Sequence, residues 1–103
     1  MFELTDELLG FAGKGAILLF CYTDWCPLCP VARERLAELE PSFPAVRFAQ
    51  ACFDRCPCAV EMHSIIGVPT VLALLDGAPL KALPGLRPKE QYAELLTLLS
   101  AAK

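Results

Sequence analysis

Four mostly apolar stretches divide the chain and predict the strands of a sheet. The first, AILLFCY at 16–22, is apolar throughout and contains β-branched and aromatic residues, which is typical of a strand covered on both faces. VRFAQACF at 46–53 predicts a second strand. TVLALL at 70–75 and PLKALP at 79–84 are separated by an Asp-Gly pair, which favours a tight hairpin turn. The last two strands are therefore expected to be antiparallel.

The segments between and beside these stretches predict helices over 6–12, 27–40, 56–65 and 87–102. Thr5 or Asp6 can cap the first helix, and the glycines after it end it. Pro27 suits the first turn of the second helix, because its missing N–H is no loss there. The element order α-βαβ-α-ββ-α implies one parallel strand pair with a right-handed crossover.

Length, charge and composition narrow the class of protein. With 103 residues, 55% of them hydrophobic, the chain is expected to form a single domain over 1–103. A net charge of -3 without a basic cluster argues against nucleic-acid binding. No apolar run is long enough to cross a bilayer, so no membrane partner is expected. The acidic N-terminus does not resemble a secretory signal, which predicts a cytoplasmic protein with reduced thiols.

Cys26 and Cys29 form a C-x-x-C pair just after the first long strand and at the predicted start of its helix. In a chain with six cysteines this spacing alone is weak evidence. The position is more informative, since open α/β sheets gather their chemistry beyond the carboxyl ends of the strands. Unsatisfied N–H groups and the helix dipole favour a thiolate on Cys26. Cys29 is one turn away, within reach to form a disulfide.

The segment GVPT places Pro69 directly before a predicted strand. A cis bond between Val68 and Pro69 would leave the backbone of Val68 available to pair with an extended substrate segment.

Together these motifs resemble the thioredoxin family. DWCPLCP matches the Trp-Cys-x-x-Cys at the start of the long helix, and GVPT matches the cis-proline turn. Asp54, Gly77 and Gly85 also fall at the family's spacing, so the resemblance runs from Ala16 to the C-terminus. It implies a three-layer α/β/α fold with a mixed sheet of about four strands. The family's first strand is largely missing, because little more than MFEL precedes the first helix.

The resemblance also implies an activity, thiol–disulfide exchange with protein disulfides. Cys26 would be the attacking thiol and Cys29 the resolving thiol, with no cofactor beyond their disulfide and with a disulfide reductase as electron donor. Asp54 is a candidate partner for the Trp25 indole N–H. A monomer is expected. The residues expected to contact substrates are Trp25, Pro27, Leu28, Val68 and Pro69.

Two positions depart from the family. Its buried acid, which helps move the proton of the resolving cysteine, corresponds to Phe20, and the accompanying lysine corresponds to Gln50. Phenylalanine cannot accept a proton, so resolution is expected to depend on water or on another group. The Pro-Leu dipeptide between the cysteines also differs from the family's Gly-Pro.

The remaining cysteines leave other functions open. Cys52, Cys56 and Cys58 lie close together in sequence and, with His63, could hold zinc or copper on soft ligands. They could instead form an accessory redox site or be inert, and no metal site is assigned to them. Cys21, inside a buried strand, is expected to act as a small apolar residue. A further alternative is a binding module of the same fold that recognises partners at the Pro69 surface without turnover.

Overall fold

The computed structural model of this protein describes residues 1–5, 15–56 and 67–102. The strands are β1 (Phe2–Glu3), β2 (Ala16–Tyr22), β3 (Arg47–Cys52), β4 (Thr70–Leu75) and β5 (Ala78–Pro84). The helices are α1 (Cys29–Leu39), followed by a short 3-10 helix (Glu40–Ser42), and α2 (Lys89–Ala101). The helices predicted over 6–12 and 56–65 fall almost wholly outside the described residues.

The strands form one mixed sheet in the order β1-β3-β2-β4-β5. β3 pairs in parallel with both β1 and β2, whereas β4 pairs antiparallel with β2 and β5. The parallel pair and the α/β class are as predicted. The sheet has five strands rather than four, because the two residues of β1 pair with β3 at the edge.

The central strand β2 explains why the fold has a core on each side of the sheet. All seven of its residues are buried, as its continuous apolar run predicts. Leu18 and Phe20 point into one core, together with apolar residues of α1 and α2. Ile17, Leu19 and Cys21 point into the other core. Alternation along the strand therefore sends successive β2 residues to opposite faces.

The hairpin between β4 and β5 follows the predicted turn chemistry. Leu75 pairs with Ala78, so only Asp76 and Gly77 form the loop. Both have positive φ, 49° and 82° respectively, as a type I′ turn requires. The Asp76 carboxylate also accepts a hydrogen bond from the Gly15 N–H at 2.9 Å, which ties the loop to the start of β2.

Helix α1 begins later than the sequence pattern suggested. Its first residue is Cys29, so Pro27 lies in the turn before the helix rather than in its first turn. Pro30 occupies the early helical position where a missing N–H carries no penalty. No helix among residues 1–5, 15–56 and 67–102 is long and apolar enough to span a membrane.

Candidate active site

The C-x-x-C segment lies between the end of β2 at Tyr22 and the start of α1. The Cys26 N–H donates to the Thr23 carbonyl oxygen at 3.5 Å, which closes the turn. The Cys29 N–H donates to Cys26 Sγ at 3.2 Å. Although the helix does not start at Cys26, its first N–H therefore points at that sulfur. A backbone N–H donor at this position can stabilise negative charge that develops on the sulfur during exchange.

The two thiols differ in their surroundings. Cys26 is 7% exposed, whereas Cys29 is 1% exposed. Burial, as the main cause, and the hydrogen bond with Cys26 together raise the pKa of Cys29 to about 12. The Thr23 backbone and the charge of Arg33 act in the opposite direction. Both thiols are thus largely buried, and Cys29 is the more deeply buried of the two.

The turn containing Pro69 reaches the same end of the sheet. The Val68–Pro69 bond is cis, as predicted. In the antiparallel register Thr70 pairs with Cys21, so Pro69 lies beside the carboxyl end of β2. Val68 packs against the buried cluster that contains both cysteines of the C-x-x-C pair. The topology therefore brings the proline turn next to the thiols.

Apolar side chains surround the cysteines on the outside. Trp25 is 74% exposed and Leu28 is 47% exposed, and Pro27 is also exposed. Val31, on the first turns of α1, adds to this surface and was not identified from the sequence. A group of exposed apolar side chains of this kind is typical of an interaction site.

The predicted hydrogen bond from Trp25 to Asp54 is wrong, since in the described part of the chain no such bond joins them. The neighbouring residues make a contact instead: Arg55, which follows Asp54, binds Asp24, which precedes Trp25. Arg55 pairs with the Asp24 carboxylate at 2.6 Å and donates to the Tyr22 hydroxyl at 2.9 Å. This pairing holds the pKa of Asp24 below its usual range.

Phe20 lies in the same buried cluster as Cys26 and Cys29. Its ring stacks on Tyr22 with the centroids 5.7 Å apart. The Arg33 guanidinium lies over both rings, 5.4 Å from the Phe20 centroid and 4.7 Å from that of Tyr22. The position at which the family carries an acid is thus apolar, but a cation covers it.

A hydrogen-bonded chain continues from this cation along the sheet. Glu3, Gln50 and Phe20 are paired neighbours across β1, β3 and β2. Arg33 Nε donates to Gln50 Oε1 at 3.2 Å, and Gln50 Nε2 donates to Glu3 Oε1 at 2.8 Å. The same carboxylate oxygen accepts the Tyr22 hydroxyl at 2.7 Å. Gln50, which replaces the family's lysine, therefore connects a cation to an anion.

The other cysteines are divided between the two cores. Cys52 lies in the core beneath α1, whereas Cys56 lies in the opposite core with Cys21. The Cys56 N–H donates to the Cys52 carbonyl oxygen at 2.8 Å. Cys58 and His63 fall outside the described residues. Within 1–5, 15–56 and 67–102, no three potential metal ligands cluster together.

Cys21 is fully buried, in agreement with its expected apolar role. Burial raises its pKa to about 12, and the neighbouring Cys56 and Cys29 thiols contribute in the same direction. Cys21 is therefore a neutral thiol at physiological pH.

The fold and the paired thiols define a class of redox protein, and comparison with known proteins identifies the family. The thioredoxin family profile matches residues 6–98. This chain belongs to the thioredoxin family, whose members carry out thiol–disulfide oxidoreduction.

Individual relatives are distant but match along most of their length. A thioredoxin of Chlamydia caviae is 24% identical over 91 residues, covering 88% of this chain and 89% of the relative. A thioredoxin of Staphylococcus aureus is 28% identical and covers 81% of each chain. The solved structure of a mutant thioredoxin from Halobacterium salinarum superimposes with a TM-score of 0.85 at 19% identity, covering 97% of this chain and 89% of that one. At that identity the structural match shows a shared fold.

Proposed function

We propose that this protein exchanges electrons with protein disulfides through a Cys26–Cys29 dithiol/disulfide couple. The observation that carries this proposal is the 3.2 Å hydrogen bond from the Cys29 N–H to Cys26 Sγ, combined with the deeper burial of Cys29. The first feature favours a thiolate on Cys26 and the second protects Cys29 from external disulfides. Family membership supports the reaction type.

In the proposed reaction the Cys26 thiolate attacks one sulfur of a substrate disulfide and displaces the other as a thiolate. Cys29 then loses its proton and attacks Cys26 Sγ, which breaks the mixed disulfide and forms the Cys26–Cys29 bond. The substrate leaves as a dithiol, and two electrons have passed to it. A disulfide reductase returns the electrons, so the couple needs no other cofactor. A reducing compartment such as the cytoplasm suits this cycle.

The surroundings of Cys26 suit extended apolar substrate segments. Trp25, Leu28 and Val31 offer exposed apolar surface on one side of the thiol. The backbone of Val68, in the turn that contains Pro69, lies at the same end of the sheet. We propose that a substrate pairs with this backbone while its apolar side chains lie on Trp25 and Leu28. Pro27, exposed between the two cysteines, completes the contact surface.

Reduction of insulin disulfides by dithiothreitol, with the protein as catalyst, tests the proposal. Cys26→Ser is expected to reduce the catalysed rate by on the order of 100-fold or more, because it removes the attacking atom. Cys29→Ser should accumulate a mixed disulfide that is visible by intact-protein mass spectrometry. Cys52→Ser makes the same atomic change at a buried cysteine outside the pair and serves as the control.

Full turnover by Cys26→Ser would contradict the assignment. A parent protein without reductase activity, whose Cys26→Ser, Cys29→Ser double variant still binds partners, would instead indicate a binding module.

A further inference from the structure

The resolving step of the proposed reaction raises a problem that the structure makes specific. Cys29 must become a thiolate before it can attack Cys26, yet it is only 1% exposed and burial opposes its charge. The family's proton-accepting acid is absent, because Phe20 occupies that position and is fully buried. A feature of this chain that lowers the free-energy cost of this charge would therefore speed resolution.

Arg33 is placed to do this. It lies four residues after Cys29 on α1, so the two side chains lie on the same face, one helical turn apart. Its guanidinium lies 5.4 Å from the Phe20 ring centroid and 4.7 Å from that of Tyr22. Guanidinium groups stack favourably on aromatic faces, and guanidinium keeps its charge at every physiological pH.

The cation is also held in place by hydrogen bonds. Its Nε donates to Gln50 Oε1 at 3.2 Å, and the Gln50 amide in turn donates to Glu3 Oε1 at 2.8 Å. A lysine at position 50 could only donate, so it would repel the guanidinium instead of binding it. The exchange of lysine for glutamine thus matches the presence of Arg33, since the positive charge has moved from β3 to α1.

We propose that Arg33 is a positioning residue that stabilises the Cys29 thiolate during resolution of the mixed disulfide, in place of the family's buried acid. This inference rests on the proposed function of the Cys26–Cys29 couple. Arg33 accepts no proton. The proton of Cys29 passes to solvent water or hydroxide, and the fixed positive charge makes its departure less costly.

The other groups around Cys29 do not supply a positive charge. Cys26 is neutral once its sulfur is in the mixed disulfide. Burial raises the pKa values of Cys21, Tyr22 and Tyr92, which keeps all three uncharged at neutral pH. The Thr23 backbone contributes only a dipole. The charge of Arg33 acts on Cys29 and lowers its pKa, although less strongly than burial raises it.

A reaction with 5,5′-dithiobis(2-nitrobenzoate) separates the two chemical steps. Cys26 attacks the reagent and releases one coloured thiolate, forming a mixed disulfide. Cys29 then attacks Cys26 Sγ and releases the second thiolate, so the slower phase reports resolution alone. The Cys26→Ser, Cys29→Ser double variant gives the background from the other cysteines. Stopped-flow records across neutral and alkaline pH give a pH profile for each phase.

Arg33→Met is expected to slow the second phase by about tenfold at neutral pH and to move its pH midpoint upward by about one unit. The first phase should change far less. Arg33→Lys retains the charge and should recover much of the lost rate. Arg35→Met is the matched control, because it removes a guanidinium from the same helix, where Arg35 donates to the Arg87 carbonyl oxygen. Its pH profile should overlay that of the parent.

A second phase that is unchanged in Arg33→Met across the pH range would overturn the role of Arg33. Equal slowing in Arg33→Lys and Arg33→Met would also overturn it, since packing rather than charge would then be responsible. If Arg33→Met fails to fold, the neutral and polar Arg33→Gln decides the question by the same criteria. Release of only one thiolate by the Cys26–Cys29 pair of the parent would instead refute the proposed function.

Discussion

Two buried thiols, Cys21 and Cys29, lie on opposite faces of the sheet and differ in the polar groups around them. Burial is the main cause of a pKa near 12 for both. For Cys29 the hydrogen bond with Cys26 adds to that effect, whereas a backbone group of Thr23 and the charge of Arg33 partly offset it. For Cys21 the further influences, from Cys56 and Cys29, raise the pKa still more.

The two thiols therefore share their burial and differ in the groups that lie near them. The α1 face contains a helix N–H that points at Cys26 and a guanidinium one turn beyond Cys29. The opposite core is lined by aliphatic residues such as Ile17, Leu19 and Leu72. The polar groups that could support the proposed exchange therefore lie on one face of the sheet. The following predictions test that contrast, starting with the largest expected effect.

The largest expected effect is a difference in labelling rate between Cys26 on one face of the sheet and Cys21 on the other. In brief treatment of the reduced, folded protein with iodoacetamide, Cys26 should be modified first, and faster than Cys21 by on the order of 100-fold or more. Peptide mass spectrometry measures the extent at each site, and labelling in denaturant provides the control in which the difference disappears. Faster labelling of Cys29 than of Cys26 would reverse their proposed roles. Rapid labelling of Cys21 would remove the contrast between the faces.

Phe20→Asp places an acid where the family carries one, on the side of the sheet that packs against α1. Removing a large buried side chain is expected to cost about 3–5 kcal/mol of unfolding free energy, measured in urea. The new carboxylate should also speed resolution around neutral pH, because it can accept the proton of Cys29. Phe20→Ala removes the same ring without adding an acid and is the control.

Insulin reduction between about pH 6 and pH 9 measures the second effect. If folded Phe20→Asp and Phe20→Ala give the same pH–rate profile as the parent, Phe20 serves only for packing. Proton transfer then proceeds without any group at this position.

On the opposite face of the sheet, ionisation of Cys21 should lower the unfolding free energy at alkaline pH. The folded pKa of Cys21 is about 12, above the ordinary value of a thiol, so the unfolded chain loses this proton first as the pH rises. The stabilisation that the protonated Cys21 thiol contributes is complete below about pH 8.5 and is lost progressively toward pH 12. The loss in unfolding free energy amounts to roughly 2 kcal/mol at pH 10. Urea unfolding at neutral pH and near pH 10 should show a smaller loss for Cys21→Ala than for the parent. An identical loss in both proteins would mean that Cys21 ionises equally in the folded and unfolded states.

Much of the fold could be predicted because its signals are local. The apolar run of β2 predicts burial on both faces, and Asp76-Gly77 predicts the hairpin, since only a few residue types tolerate positive φ at both positions. The start of α1 was predicted two residues too early. Pro27 and Pro30 are both compatible with a helix start, and the sequence pattern does not distinguish them. The two-residue strand β1 is too short to show any periodicity.

The paired cysteines and the proline turn could also be predicted, because each is a short motif. The chain of Arg33, Gln50 and Glu3 could not be, since it depends on the register of strands that are far apart in sequence. The spacing of four residues from Cys29 to Arg33 was the one available signal. Arg55 escaped notice because its partners, Asp24 and Tyr22, are also distant in sequence.

The edge strand β5 bears on how this protein behaves in a crowded solution. An exposed edge strand can recruit a strand from another molecule and begin aggregation. Here two of the seven residues, Pro79 and Pro84, have no N–H to offer, and Lys81 places a charge between them. A bulge at Ala73/Leu74 also interrupts the register with β4. An incoming strand would find missing hydrogen-bond donors near both ends of β5 and a cation in the middle. This edge therefore discourages extension of the sheet from one molecule to the next.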